Sequence, residues 1–238
     1  MSDSLAVARD GAVMRIVIAR PEQRNSLTPG LLRALARVFA EAEEGVRAAV
    51  LSGAGGRAFS AGFDTASLTA EGGIGADGFG ANDRDLAAAF AAIEAAPFPV
   101  IAAIEGHCIG AGLELALSCD LRIAAEGARF RFPPARIGWT YSAEGLGRLI
   151  AAVGPARARR MAYLAETIAA EDAEAWGLVD ALTAPDALLD QVEAWLARGR
   201  SHRHRRREAG DRRAGARRAQ RAVGRRASRL AGARGRQR

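Results

Sequence analysis

Two glycine-rich turns carry the chemistry legible in this chain: Ala58-Phe59-Ser60-Ala61-Gly62-Phe63-Asp64 and Gly106-His107-Cys108-Ile109-Gly110-Ala111-Gly112-Leu113-Glu114. Glycine tolerates unusual φ angles and lets a second backbone come close, so each turn can aim a main-chain N–H at one point. Two donors aimed at one carbonyl oxygen form an oxyanion hole, which lowers the barrier to any step that builds charge on that oxygen. The second turn adds a helix start near Ala111, where unpaired N–H groups and the positive dipole end favour an anion. Glu114 follows three residues later on the same side of that helix, placed to meet a substrate whose carbonyl oxygen sits in the hole. Locally, the same text also reads as a glycine-lubricated helix start with a solvated glutamate. Gly110 and Gly112 are followed by Leu115 where a dinucleotide fingerprint needs a third glycine, and neither Gly-x-Ser-x-Gly nor a Walker A run is present, which argues against those sites.

The turns need elements to deliver them. Residues 13–19 mix alternation with β-branched side chains and read as a strand, followed by a turn over 20–25. Thr28 caps a helix with Pro29 at its first position and Leu31, Leu32, Leu35, Val38 and Phe39 on its apolar face. Residues 48–51 form a short buried strand leading into the first glycine turn. Residues 100–104 form another that feeds the second turn, with a helix over 111–118 and a strand over 119–124 behind it. The glycine-rich run 66–82 reads as a loop, and a helix over 83–96 is closed by Pro97 and Pro99. The later part is mostly helical: 155–164, a helix ending at Trp176-Gly177, an extended piece over 178–180, and an amphipathic helix over 185–197 with Leu188, Leu189, Val192 and Leu196 on one side. No internal repeat is visible.

The 238 residues suffice for one sizeable domain with a buried core, and 49% apolar content fits a soluble globular protein. No apolar run is long enough to span a bilayer, so no membrane partner is expected. Residues 1–10 carry two acids and no apolar stretch of the signal-peptide kind, which makes a cytoplasmic location the expectation. Cys108 and Cys119 form neither a disulfide framework nor a zinc pattern, His202 and His204 have no metal-ligand spacing, and His107 reads as a packing or hydrogen-bonding residue; no metal is expected. The net charge of +7 joins two dissimilar regions. All 34 basic residues are arginine; residues 198–238 hold 17 of them against two acids, a balance of +15, while residues 1–197 carry 25 acids and a balance of −8. The basic stretch has few large apolar residues, so disorder is the expectation there. It reads as a plain solvated tail, as a nucleic-acid arm, or as the arginine-rich, lysine-free text that an out-of-frame GC-rich gene yields. It lacks interleaved aromatics for base stacking, and nucleic acid is not the expected partner.

The two turns, fifty residues apart at Gly62 and Gly112, join Arg20-Pro21-Glu22-x-Arg24-Asn25-Ser26-Leu27, Ser118-Cys119-Asp120 and Ala173-x-x-Trp176-Gly177-Leu178-Val179. Together these resemble the signature of the crotonase (enoyl-CoA hydratase/isomerase) superfamily over residues 5–197. The resemblance implies an α/β fold, a spiral of ββα turns with helices packed near the C-terminus, as one acyl-CoA domain over 1–197 followed by the basic tail over 198–238. It implies trimers or hexamers, an acyl-CoA thioester as substrate, and no cofactor beyond the coenzyme A that the substrate carries. The oxyanion donors map to the N–H groups of Phe63 and Ala111, with Gly62, Gly110 and Gly112 among the substrate-binding positions; Ser60, Ala61 and Asp64 map beside the pantetheine, and Arg24 near the CoA phosphates.

Glu114 matches the first of two glutamates with which enoyl-CoA hydratases position water and deliver a proton. The second falls at Pro134, which can be neither acid nor base. The run Arg136-Ile137-Gly138-Trp139-Thr140-Tyr141-Ser142-x-Glu144-Gly145 looks closer to the methylmalonyl-CoA decarboxylase branch, where a tyrosine matches Tyr141. Tyr141 equally reads as a core aromatic with a satisfied hydroxyl, and Glu144 as a replacement carboxylate or a solvated helix-start residue. Hydratase-like chemistry with Phe63, Ala111, Glu114 and Tyr141 as the catalytic set leads. A decarboxylase or other enolate-handling lyase or isomerase, and a non-catalytic acyl-CoA-binding remnant, stand as alternatives.

Overall fold

The structure, a computed structural model, describes residues 5–64, 66, 76–133 and 142–199. Pro134 and Tyr141, and residues 200–238 of the basic stretch, lie outside the described residues. The chain divides at Glu193, and Met1–Glu193 holds the site described below.

Ten strands form two sheets among the described residues. Strands β1 (Leu5–Asp10) and β2 (Val13–Ile18) make an antiparallel hairpin. β2 pairs in parallel with β3 (Ala48–Gly53), placing Ile16 opposite Leu51; β5 (Val100–Ile104), β7 (Leu121–Ala125) and β10 (Ala181–Thr183) extend the same sheet in parallel. Residues 48–51 and all of β5 are buried, the near-continuous apolar reading expected of a parallel sheet covered on both faces. The smaller sheet runs β4 (Ala58–Ser60), β6 (His107–Ile109), β8 (Arg129–Arg131) and β9 (Thr167–Ala169), with only the last pair antiparallel.

The chain order shows the winding. The pairs β3/β4, β5/β6 and β7/β8 each send their first strand to the large sheet and their second to the small one. A helix follows each: α2 (Ala76–Ala95), α3 (Ala111–Ser118) and α4 (Ala143–Leu164), while α1 (Pro29–Ala40) follows the first hairpin. This is the spiral of ββα turns that the resemblance implied, a structural repeat without a sequence repeat. The helices α5 (Ala170–Trp176) and α6 (Leu188–Gly199) come last.

Local chemistry explains the helices. The Thr28 hydroxyl accepts a hydrogen bond from the Leu31 N–H at 3.2 Å, and Pro29 stands at the first position. Leu31, Leu32, Leu35 and Phe39 are buried on the α1 face, each contributing about 1.5–3 kcal/mol of transfer free energy. α3 is buried at all eight positions, the mark of a central helix. α4 starts at Ser142, whose hydroxyl accepts from the Gly145 N–H at 3.0 Å, and breaks at Gly154 (φ 77°, ψ 165°) before Pro155 restarts it. Only its second half was expected as a helix.

Other expectations shift. α2 begins at Ala76 rather than at residue 83, so Ala76–Asn82 of the glycine-rich run is helical, not loop. Glycine weakens a helix by about 1 kcal/mol per residue, but extending an existing helix costs far less than nucleating one. The late strand is Ala181–Thr183 and not 178–180. Leu189 is exposed, whereas Leu188 and Val192 are buried. His107 is exposed on β6, which removes the packing half of its reading. Among the described residues no helix is long and apolar enough to cross a membrane, and no group of three metal-ligating side chains is found.

Candidate active site

The first glycine turn is held from behind by the segment Arg20–Leu27. Asn25 is fully buried at φ +56°. Its Oδ1 accepts from the Arg20 N–H at 3.0 Å, and its Nδ2 donates to the carbonyls of Ala54 (2.9 Å) and Ala58 (2.6 Å). The Ala61 N–H donates to the Arg24 carbonyl at 2.9 Å, which sets the exposed Arg24 beside the turn. Leu27 donates to the Gly62 carbonyl (2.8 Å) and accepts from the Asp64 N–H (2.9 Å), making a parallel bridge with Phe63. In a trans peptide the C=O and N–H point opposite ways. With the Gly62 carbonyl turned to Leu27, the Phe63 N–H is directed to the other side.

The two turns meet at glycines. At Gly62 (φ +98°) a Cβ would lie 2.8 Å from the Ile109 carbonyl oxygen and 3.4 Å from the Ala111 nitrogen. At Gly112 it would lie 2.6 Å from the Ser60 carbonyl oxygen. Only glycine permits both approaches. Ser60 is fully buried, and its hydroxyl accepts from the Gly62 N–H at 3.2 Å, so it braces the turn from inside. Gly110 (φ +57°) donates to the Arg131 carbonyl at 2.9 Å and starts α3. Its own carbonyl accepts from the Glu114 N–H at 3.1 Å, so the Ala111 N–H precedes the helical ladder. Cys108 and Cys119 are buried, and burial raises both thiol pKa values; they behave as small core residues.

Glu114 is buried, which removes the solvated-glutamate reading. Its carboxyl lies against Gly145 on α4, where a Cβ would stand 2.5 Å from Oε2. Arg148 Nη1 is 4.0 Å from the same oxygen, while Arg148 Nε donates to Glu94 on α2 at 2.7 Å. Burial pushes the Glu114 carboxyl up to about 7; the Arg148 charge opposes this, and Asp83 and Glu144 add to it. A carboxyl that changes form near neutrality can both take and give a proton.

Asp64 is treated differently. It accepts from Arg20 Nη1 (3.0 Å), the Ser26 hydroxyl (3.1 Å) and the Ala66 N–H (3.1 Å). Burial alone would raise its pKa, but these donors together outweigh burial and hold it below the ordinary value.

Ser60, Ala61, Gly62 and Phe63 of the first turn are thus brought to Gly110, Ala111 and Gly112 of the second, with Glu114 one helical turn on. Tyr141 and Pro134 are not among the described residues. Sequence reasoning missed Gly145, Glu94 and Arg148. The signal available for them was a glutamate between Leu113 and Leu115 in a helix otherwise free of charge, which calls for a cation on a neighbouring element.

Comparison with known proteins gives one consistent result. The family model described as enoyl-CoA hydratase/isomerase matches residues 8–209. The Mycobacterium tuberculosis protein named "Probable enoyl-CoA hydratase echA6" is 37% identical over 195 residues, covering 81% of this chain and 74% of that protein. The short-chain-enoyl-CoA hydratase of Clostridium acetobutylicum is 33% identical over 193 residues, 80% of this chain and 73% of its own length. Among solved structures, an enoyl-CoA hydratase/carnithine racemase from Magnetospirillum magneticum superposes with a TM-score of 0.80 at 31% identity, covering 84% of this chain and 75% of that one.

Proposed function

The chain belongs to the enoyl-CoA hydratase/isomerase family, and from that premise we propose that it adds water across the double bond of a 2-enoyl-CoA, or removes it in reverse. The thioester oxygen sits between the N–H groups of Phe63 and Ala111. The Glu114 carboxylate accepts a proton from water as the water oxygen bonds to C3. The π electrons move onto the thioester oxygen, and the enolate is stabilised by the two donors, which are fixed before charge develops. Glu114 then returns its proton to C2 and the carbonyl re-forms, so one hydrogen and one hydroxyl have been added. The chemistry calls for no metal or redox group; coenzyme A arrives with the substrate.

One observation carries this reading: the Gly62 turn packs so closely on the start of α3 that a Cβ at Gly62 would stand 3.4 Å from the Ala111 nitrogen, with a buried carboxyl of pKa about 7 one helical turn away. A second reading, decarboxylation of a malonyl-type acyl-CoA, is favoured by Pro134 standing where the resemblance puts the second glutamate. There the bond to the leaving carboxylate breaks, its electrons enter the same enolate, and carbon dioxide departs.

Mass spectrometry of crotonyl-CoA and methylmalonyl-CoA, each incubated with the protein in heavy water, separates the two. A hydrated crotonyl product with deuterium at C2, lost in Glu114→Gln, is the expected result. Carbon dioxide loss without hydration transfers the assignment to the decarboxylase, and no change in either substrate defeats both. Assembly into trimers or hexamers goes with the proposal, and sedimentation of the purified chain tests it.

A further inference from the structure

Glu114 has a cationic neighbour to which no motif pointed. Arg148 stands on α4 three residues after Gly145, so the two share a helix face. Gly145 brings bare backbone against the Glu114 carboxyl. The Arg148 side chain is 15% exposed, and two contacts from α2 fix its plane: Nε donates to Glu94 Oε1 at 2.7 Å, and the guanidinium carbon lies 5.5 Å from the Phe90 ring centroid. Nη1 is thereby left 4.0 Å from Glu114 Oε2. That is an ion-pair distance but too long for a hydrogen bond. The strong charge-assisted bond goes to Glu94, and Glu114 feels the charge without a hydrogen bond to it.

We propose that Arg148 is a positioning residue for the acyl-CoA chemistry: held by Glu94 and Phe90, it keeps the Glu114 carboxyl in place against Gly145, while Glu94 limits its pull. The proposal rests on the reading of Glu114 as the proton carrier. The charged groups around Glu114 are Arg148 and Glu144 from α4 and Asp83 and Glu94 from α2. Arg148 favours the ionised carboxyl, Glu144 and Asp83 oppose it, and Glu94 acts by sharing the cation. Two changes in one cluster therefore push Glu114 in opposite directions. Arg148→Met removes the cation, so Glu114 keeps its proton to higher pH. Glu94→Gln leaves the cation to Glu114 alone, so the proton is released at lower pH. Arg148→Lys retains the charge but loses the planar fork, and falls between wild type and Arg148→Met.

The test is a carbon-13 NMR titration of the Glu114 carboxyl in the full chain, assigned by its loss in Glu114→Gln, beside the pH profile of kcat/KM for crotonyl-CoA hydration. The expected midpoints move up by about 1 pH unit in Arg148→Met and down by about half a unit in Glu94→Gln. The acid limb of the profile should move with them. Midpoints that move together, or that stay within about 0.2 unit of wild type, overturn the proposal. If Arg148→Met does not fold, Glu94→Gln and Arg148→Lys decide it. A wild type that hydrates nothing while the midpoints split sinks the hydratase reading and leaves the placement of Arg148 standing; an active wild type with unsplit midpoints sinks this proposal alone.

Discussion

Asp64 closes the first glycine turn and Glu114 follows the second, and their surroundings drive them apart. Both are largely shielded from water. Asp64 meets a guanidinium, a hydroxyl and a backbone N–H at 3.0–3.1 Å and is held ionised below the ordinary carboxylate range. Glu114 meets a glycine backbone and a cation already engaged by Glu94, so burial prevails and its pKa rises to about 7. Burial raises both acids, more deeply at Glu114; at Asp64 the donors outweigh it and at Glu114 the neighbouring cation does not, which separates a strut from an acid that can carry a proton. An acid ionised throughout the physiological range has no proton to exchange there.

The contrast makes its largest demand on turnover. Glu114→Gln should lower kcat/KM for crotonyl-CoA by about 10²- to 10⁴-fold, and Asp64→Asn by less than about tenfold per folded molecule. Equal losses in the two variants would erase the distinction. Gly62→Ala, which touches neither acid, tests whether the turns themselves must meet. A Cβ at φ +98° and 2.8 Å from the Ile109 oxygen must part them, and kcat/KM should fall by about 10²-fold through misplaced donors. Full activity in that variant would show that the close approach is dispensable.

Stability gives smaller effects of opposite sign. The Glu114 pKa rises from 4.5 to about 7 on folding. The folded chain thus keeps a proton that the unfolded chain loses between those values, and stability falls as pH rises across that window by about 3 kcal/mol. Glu114→Gln should recover up to about 3 kcal/mol in urea unfolding at pH 8 and almost nothing at pH 4. Asp64 runs the other way. Its pKa is depressed in the fold, so its contribution is present above the ordinary carboxylate range and is lost as pH falls below it. Asp64→Asn should therefore destabilise by about 2 kcal/mol at pH 7 and by less at pH 3. Parallel pH trends in the two variants would contradict the assignment of roles.

The legible parts of the molecule are those whose cause is local. α1 could be placed from Thr28, Pro29 and the leucine spacing because cap and face lie within twelve residues. Gly62 and Gly112 stood out because each position rejects every other residue type. Strands of three residues, such as β4, β6 and β8, show no period, and only their partners make them strands. The same holds at the site. Glu114 was visible as a residue, but its packing against Gly145 and the charges that adjust its proton affinity, Arg148, Asp83 and Glu144, come from two other helices. Asn25 was visible within a motif, whereas its clamp on Ala58 follows from the register that brings the second ββα turn beside the first.

That clamp has a consequence for synthesis. Asn25 reaches 33 residues ahead to Ala58, and Arg148 reaches 54 residues back to Glu94. At about 5–20 residues per second on the ribosome, the anchor for the first turn waits seconds for the turn it holds. Both donor turns emerge before the cation that steadies the acid. The chain therefore completes its two glycine turns first and the surroundings of Glu114 last, and a product cut short ahead of residue 148 would carry Glu114 without the cation beside it.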